Sequence, residues 1–224
     1  VVSEKHTVDL EDRMEHAAAF NDEKIHYVLN SWVGSDGTIY EGYLAAARIA
    51  GMIAASAANE SLTHTVIYGA TTLNEALTNA QIKKALKSGC IVLSLSKSRQ
   101  VWIEKAINTL VTLAANQDAG WKKIRRVKTR YELMNRIEAT VEPMIGTVDN
   151  DADGRAAIIA AAQRVVDAMA GEKKLIPGGT VTEDANNPAT GDSAWFIVAV
   201  DDLDSIETIY LTFRFRFAAD TETE

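Results

Sequence analysis

Three aspartates at alternating positions form a stretch whose spacing suggests metal chemistry. Asp149, Asp151 and Asp153 precede Gly154, which is the order of oxygen ligands and turn glycine at the start of a calcium-binding loop. The twelfth position of such a loop is normally a bidentate glutamate, but here it is Ala160. The same acids suit the first turn of a helix, where carboxylates cap backbone amides and face the positive end of the helix dipole. The sequence therefore favours helix capping and leaves weak cation binding as the alternative.

Other patterns associated with catalysis are weak. Gly178 and Gly179 lack the Lys-Ser/Thr that follows in a phosphate-binding loop, and no Gly-x-Ser-x-Gly motif occurs. The single cysteine, Cys90, excludes an intramolecular disulfide and lies in an apolar run that predicts a buried structural thiol. The histidines do not have the spacing of a zinc protease; they are His6, His16, His26 and His64. These observations give little support for an enzyme or for a metal site built from the histidines, and an α/β enzyme of unrecognised type is the weaker alternative.

Basic residues are concentrated in one segment of an otherwise acidic chain. The net charge is −8, whereas residues 137–224 carry 6 basic and 17 acidic side chains, a net charge of −11. A group of basic side chains precedes them, with Glu132 as the one acid among residues 121–136: Lys122, Lys123, Arg125, Arg126, Lys128, Arg130 and Arg136. We interpret this group as a solvated helix face or as a contact surface for a negatively charged partner. Nucleic acid is a poor candidate because the rest of the chain would repel phosphates.

The elements that would position these groups alternate between strands and helices in the first half of the chain. Apolar and β-branched patterns predict a strand over 24–33, a buried helix over 41–58, a helix over 74–86, and strands over 90–95 and 101–113 that pair as a hairpin. Gly51, inside the first of these helices, suggests close approach of another backbone. This order of elements predicts an α/β arrangement.

The second half has a different pattern. Residues 124–137 have one apolar helical face, and residues 153–170 are an alanine-rich helix with Asp151 or Asp153 as N-cap. A buried strand is predicted over 194–200 and a terminal strand over 205–217.

The predicted fold class is therefore α/β (α+β), divided into two domains. Residues 1–113 would form part of an α/β core domain, and residues 114–224 would form a helix plus β-strand C-terminal domain. The longest apolar stretch, residues 44–58, contains Arg48 and is too short to span a bilayer, so no direct membrane insertion is expected.

The terminal strand alternates sharply. The period of two predicts one face with Leu211, Phe213, Phe215 and Phe217, and an opposite face with Thr212, Arg214 and Arg216. A strand of this kind either completes a sheet of its own domain or is donated to the sheet of a neighbouring subunit, where alternate side chains fill pockets.

Several of these stretches, taken in order, resemble the tail sheath proteins of contractile bacteriophages and related contractile particles. The resemblance covers most of the chain, from about residue 24 to residue 217. It is carried by residues 36–54, which include Asp36-Gly37-Thr38-Ile39-Tyr40 and an alanine-rich run, and then by residues 59–63, 107–110, 121–129, 150–155 and 210–217.

The resemblance implies a structural, non-enzymatic subunit without a cofactor. Such subunits polymerise as hexameric rings stacked around a tail tube, and their contraction drives the tube through a target envelope. The implied partners are other sheath subunits and the tail tube protein, without nucleic acid. The implied location is the virion tail sheath, assembled in the cytoplasm of a bacterial host. Members of the family are longer, so the chain is expected to correspond to a C-terminal portion that begins inside an α/β domain.

The resemblance also gives two groups of candidate interaction residues. The candidates for tube or subunit contact, called the basic segment below, are Lys122, Lys123, Arg125, Arg126, Lys128 and Arg130. The candidates for the exchanged strand are Thr212, Phe213, Arg214, Phe215, Arg216 and Phe217. Charge reversal within the basic segment is expected to impair assembly and leave the fold intact. The alternative function is a calcium-binding α/β interaction module using Asp149, Asp151 and Asp153.

Overall fold

The computed structural model describes residues 1–215, and its first half places helices on both faces of a small parallel sheet. Strands β1, β2 and β6 form this sheet in the order β1-β2-β6. The elements of this half are β1 (Val2–Ser3), α1 (Leu10–Phe20), β2 (Tyr27–Val28), β3 (Trp32–Gly34), β4 (Ile39–Tyr40), α2 (Tyr43–Ala55), β5 (Ala70–Leu73), α3 (Asn79–Lys87), β6 (Cys90–Ile91), β7 (Leu93–Leu95) and β8 (Val101–Ile103). The α/β prediction for this half is confirmed.

Alternation along the strands builds two hydrophobic cores, one on each side of the sheet. Tyr27 and Cys90, which are register partners, pack against α1 and α3. Their successors Val28 and Ile91 point the other way, into the core that also contains Ile49 of α2. Cys90 is fully buried, as predicted, and desolvation raises the pKa of its thiol to about 12.

Two small antiparallel sheets complete this half. Strand β3 pairs with β4 and β5, and β7 pairs with β8 in the predicted hairpin. The strand predicted over 101–113 ends at Ile103, because the chain beyond it turns toward the second half. There Ile107 forms an isolated bridge with Lys123, and the Asn108 side-chain amide donates to the Trp121 carbonyl at 2.7 Å.

Two of the predicted helices need correction. Helix α2 is less buried than predicted, since of its residues only Ala45 and Ile49 are buried. A side chain at Gly51 would meet no atom within 4 Å, so the inferred close approach at this residue was wrong. Helix α3 begins later than predicted because Thr78 and Gln81 form a capping box at its N-terminus.

Gly89 lies between α3 and β6 at a point where the backbone of another segment comes close. Its φ is +78°, and a Cβ there would lie 2.8 Å from the Thr109 Cα. Gly37 has a nearly identical φ of +80° but open space around it.

We expect Gly37→Ala to lower the free energy of unfolding by about 1–2 kcal/mol, from backbone strain alone. Gly89→Ala should lower it by at least about 2 kcal/mol more, because main-chain atoms must move. Chemical denaturation of both variants measures the difference; equal losses would contradict the close contact.

The second half is a pair of packed helices beside a β-hairpin. Its elements are the 3-10 helix Ala119–Lys122, α4 (Ile124–Val141), the 3-10 helix Glu142–Met144, α5 (Ala152–Gly171), β9 (Thr180–Glu183) and β10 (Phe196–Ala199). A third core joins Leu133 of α4, Val166 and Met169 of α5, and Val181 of β9. The helix plus β-strand prediction is confirmed, while the division of the chain into domains at residue 113 stays a prediction.

The two predicted C-terminal strands differ most from expectation. Strand β10 forms but is not a buried strand, since Ile197 and Val198 are 44% and 37% exposed. Among the described residues it pairs with β9 alone. Residues 205–215 adopt no strand, because within the described chain they have no sheet neighbour. Of the candidate strand residues, Arg216 and Phe217 lie outside the described residues. No helix within residues 1–215 is long and apolar enough to cross a membrane.

Candidate interaction surface

The N-terminal turns of α4 carry most of the basic segment and need negative charge from elsewhere. This helix has no acidic residue in its first turn and no side-chain cap, while positive charges at a helix N-terminus are unfavourable. The compensating carboxylates come from Asp118 and from the segment between β10 and residue 208. That segment contributes Asp202, Asp204 and Glu207.

Arg126 and Asp202 form the centre of this charge cluster. The guanidinium of Arg126 binds both carboxylate oxygens of Asp202, with Nη2 2.6 Å from Oδ1. Arg130 donates to the same Oδ1 at 3.1 Å and to Asp118 at 2.9 Å. Burial would raise the pKa of the Asp202 carboxyl, but hydrogen bonds from Arg126 and Arg130 outweigh it and hold that pKa below its ordinary value. A Cβ at Gly120 would overlap the Arg126 guanidinium, so the glycine leaves room for this pair.

Lys123 and Arg125 hold the outer part of the same acidic segment. The Lys123 ammonium lies 2.6 Å from Asp204 and 3.4 Å from Glu207. Arg125 is buried, donates from Nε to the Asn59 carbonyl at 2.7 Å and reaches Asp204 at 3.5 Å. These contacts tie α4 to both halves of the chain.

The remaining lysines of the basic segment bind carbonyl oxygens. Lys122 donates to the Val111 carbonyl at 2.6 Å. Lys128 donates to the carbonyls of Ile53 and Ser56, both at 2.6 Å, at the end of α2. An ammonium in this position satisfies orphan carbonyls and the negative end of the α2 dipole.

The structure therefore brings the basic segment together, but not as a solvated face. All six side chains have partners within the chain, and Arg125 is only 6% exposed. Reversal of these charges would break intramolecular bonds, so we expect it to destabilise the fold as well as to impair assembly. Contact of the basic segment with a tube or a neighbouring subunit stays a prediction.

The described candidates for the exchanged strand leave the body of the protein. Phe213 and Phe215 are 73% and 86% exposed, and Leu211 is 71% exposed. Large apolar side chains in a row and exposed to water indicate a surface that another molecule covers. Residues 208–215 are called the arm below.

Sequence reasoning missed a second feature, the open edge of the β9–β10 hairpin. Strand β10 borders a groove of about 490 Å³ between the hairpin and α4. Its lining combines apolar side chains, among them Trp121, Met134, Ile137, Val198 and Val200, with charged ones of the cluster around Arg126 and Asp202. A two-stranded sheet is marginal by itself, and an unpaired strand edge is a template for another strand. The apolar run of residues 194–200 was the available signal, but it suggested a buried strand.

The candidate calcium residues have a structural role instead. Asp151 is the N-cap of α5 and accepts from the Gly154 amide at 2.7 Å, so the capping interpretation is confirmed. Arg155 approaches the Asn150 carbonyl at 3.2 Å, which places a positive charge where a cation would bind. No group of three or more His, Cys, Asp and Glu side chains within residues 1–215 could hold a metal ion. The calcium-binding alternative is not supported.

The four histidines have separate surroundings, and one of them, His26, lines a cavity together with Lys128 of the basic segment. His6 pairs with Glu41, His16 pairs with Glu4, and His64 stacks on Trp102 with ring centroids 4.1 Å apart. His26 is partly buried, and desolvation with nearby positive charge lowers the pKa of its imidazole to about 4. The described structure brings none of them into a common site.

Comparison with known proteins agrees with the architecture. Residues 1–109 match a family described as the phage tail sheath protein central domain. A sheath tail protein from Desulfitobacterium hafniense superposes with a TM-score of 0.74 at 26% identity, over 89% of this chain and 47% of that protein. No curated protein is significantly similar to the chain.

Two assembled sheaths share the fold at lower identity. The sheath of an extracellular contractile injection system, PVC, in the contracted state has a TM-score of 0.72 at 10% identity, over 94% of this chain and 61% of that one. The contracted helical sheath of the anti-feeding prophage has a TM-score of 0.66 at 13% identity, over 86% of this chain and 56% of that one. The resemblance inferred from the sequence is therefore confirmed, and the chain spans about half of the length of the Desulfitobacterium protein.

Proposed function

Because residues 1–109 match the central domain of phage tail sheath proteins and the described chain has a sheath-protein fold, we propose that the protein is a structural subunit of a contractile tail sheath. Its subunits would assemble as hexameric rings around a tail tube protein, and contraction of the sheath would drive the tube through a target envelope. The match over residues 1–109 is the observation that carries this proposal.

The arm and the hairpin edge supply a means of polymerisation. The arm of one subunit would add to the free edge of β10 in a neighbour, with Leu211, Phe213 and Phe215 directed into the groove beside α4. Main-chain hydrogen bonds would provide affinity and the alternate side chains would provide register. A link of this kind lets subunits rotate relative to one another without separating, which contraction requires.

The basic segment would contribute to contacts with the tube or with adjacent subunits. Four of its six cations are paired with carboxylates, of which Asp118 and Asp204 remain partly exposed, at 54% and 33%. A surface of paired charges adheres weakly and is screened by salt, which suits a sheath that moves along its tube.

The proposed role is non-catalytic. It requires no cofactor, no nucleic acid and no direct membrane insertion. We place the protein in the sheath of a contractile particle, assembled in the cytoplasm of a bacterial host. The support for a non-catalytic role is the structural nature of the matched family, together with the commitment of the charged side chains near α4 to internal bonds.

Self-assembly of the complete protein carrying residues 1–224 tests the proposal. We expect negative-stain electron microscopy of the purified protein, at increasing concentration, to show hollow tubes or stacked rings. Sedimentation should show a polymer whose amount rises above a critical concentration. A protein that stays monomeric at all concentrations, alone and in the presence of tube protein, would contradict a sheath role.

A further inference from the structure

Residues 201–207 form a strap that connects β10 to the arm and crosses the start of α4. The strap lies against the helix through its acidic side chains, whereas its apolar residues Leu203 and Ile206 are 37% and 84% exposed. Its attachment therefore depends on charge more than on apolar packing. The two ends of the strap are held in different ways.

The inner end is fixed by both backbone and side chain. The Ile176 amide donates to the Asp201 carbonyl at 2.8 Å, the Leu203 amide donates to the Lys174 carbonyl at 3.0 Å, and Leu175 forms a bridge with Asp202. The Asp202 carboxylate, 7% exposed, is bound by two arginines. Release of this end would break a local sheet interaction and leave a buried charge without its partner.

The outer end is held by side chains alone. Within residues 1–215, no backbone group of residues 204–207 is hydrogen bonded to another segment. Asp204 pairs with Lys123, and Glu207 accepts from Ser61 at 2.8 Å and from Thr63 at 3.3 Å. Lys123 and Asp204 are 28% and 33% exposed, and pairs this exposed contribute little stability and weaken with salt. Glu207 is 10% exposed and lies 3.4 Å from Lys123, and buried Arg125 reaches Asp204 at 3.5 Å. The outer end therefore differs from the inner end in having no backbone bond to another segment of the described chain.

We propose that the outer end of the strap, residues 204–207, is releasable and provides additional length for the arm. When the outer contacts open, the inner end stays attached and four residues join the arm, which extends its reach by up to about 13 Å. The strap itself is a property of the single chain. In the sheath, the released residues would lengthen the link between neighbouring subunits as these move apart. This role rests on the proposed function.

Distances between spin labels on the isolated chain test the strap. Cys90 is buried, so labels can be directed to introduced cysteines. One labelled pair, Thr208→Cys with Ala139→Cys, reports the distance from α4 to the outer end of the strap. The other pair, Asp201→Cys with Ala139→Cys, reports the distance from α4 to the inner end. In low salt we expect one narrow distance for each pair. With Asp204→Asn and Glu207→Gln added, or at about 1 M salt, the first distance should lengthen by up to about 13 Å and broaden, while the second stays unchanged.

A matched variant controls for loss of two negative charges. Asp12→Asn with Glu15→Gln removes two exposed carboxyls of α1 and should leave both distances as in the parent. A first distance that stays short and narrow in the Asp204/Glu207 variant and in high salt would overturn the proposal, as would one that is already broad in low salt. Lengthening of the second distance would show that the strap has no fixed inner end. These results come from monomers, so they are separable from failure of the assembly test.

Discussion

Replacement of Leu211, Phe213 and Phe215 by serine is expected to abolish polymerisation and leave the fold of the subunit intact. Each of these side chains is at least 71% exposed in the single chain, so the free energy of unfolding should change by no more than about 1 kcal/mol. In the proposed polymer each would be buried in a neighbour, and burial of one such side chain contributes about 1.5–3 kcal/mol. Loss of all three should raise the critical concentration, measured by sedimentation, more than a thousandfold.

The opposite face of the arm supplies the matched control. Serine at Tyr210, Thr212 and Arg214 alters the same number of residues in the same segment but on the other face of an extended chain. We expect polymers to form in this variant at a critical concentration within about tenfold of the parent. Equal loss of assembly in both variants would contradict pairing of the arm as a strand. Unfolding of the first variant would show that the arm belongs to the core of its own subunit.

The elements whose side chains repeat with a clear period were predictable from the sequence. Helix α4, predicted over 124–137, extends over Ile124–Val141. The N-cap of α5 was predicted to be Asp151 or Asp153 because aspartates precede an alanine-rich run, and it is Asp151. The β7–β8 hairpin was also predicted correctly. Local pattern determined each of these elements, and tertiary contacts did not override it.

The predictions that the structure corrected concern features that depend on residues distant in the sequence. Nothing near Arg126 in the sequence indicates Asp202, which lies 76 residues away, so the basic segment was interpreted as a solvated face or as a contact surface for another molecule, and its internal pairing was missed. Similarly, the run over 194–200 has the composition of an interior strand, but composition does not reveal how many neighbours a strand has. The exposure of β10 follows from the pairing of that strand with β9 alone among the described residues. Burial and charge pairing are thus properties of the fold, whereas helix periodicity is a property of the local sequence.

A large effect on stability is also expected for Arg126→Met. The guanidinium makes two bonds to the Asp202 carboxylate, which is 7% exposed, and removal of one partner from such a pair leaves a desolvated charge. Breaking a fully buried pair costs about 3–5 kcal/mol. Because Arg130 still reaches Asp202 at 3.1 Å, we expect a loss of about 2–3 kcal/mol in the free energy of unfolding, measured by chemical denaturation near neutral pH.

Two further variants and one titration identify the cause of that loss. Arg136→Met removes an arginine from the same helix whose pair with Glu172 is 36% and 40% exposed, and it should cost less than about 1 kcal/mol. Adding Asp202→Leu to Arg126→Met removes the unpaired carboxylate and should restore part of the stability.

The pKa of Asp202 is lowered in the folded state. The stabilisation that the ionised carboxylate provides is therefore present above about pH 4 and is lost as the pH falls through the folded-state pKa. The stabilities of the parent and Arg126→Met should therefore converge in acid; a constant difference across that range would mean that Arg126 stabilises the fold by packing of its aliphatic stem.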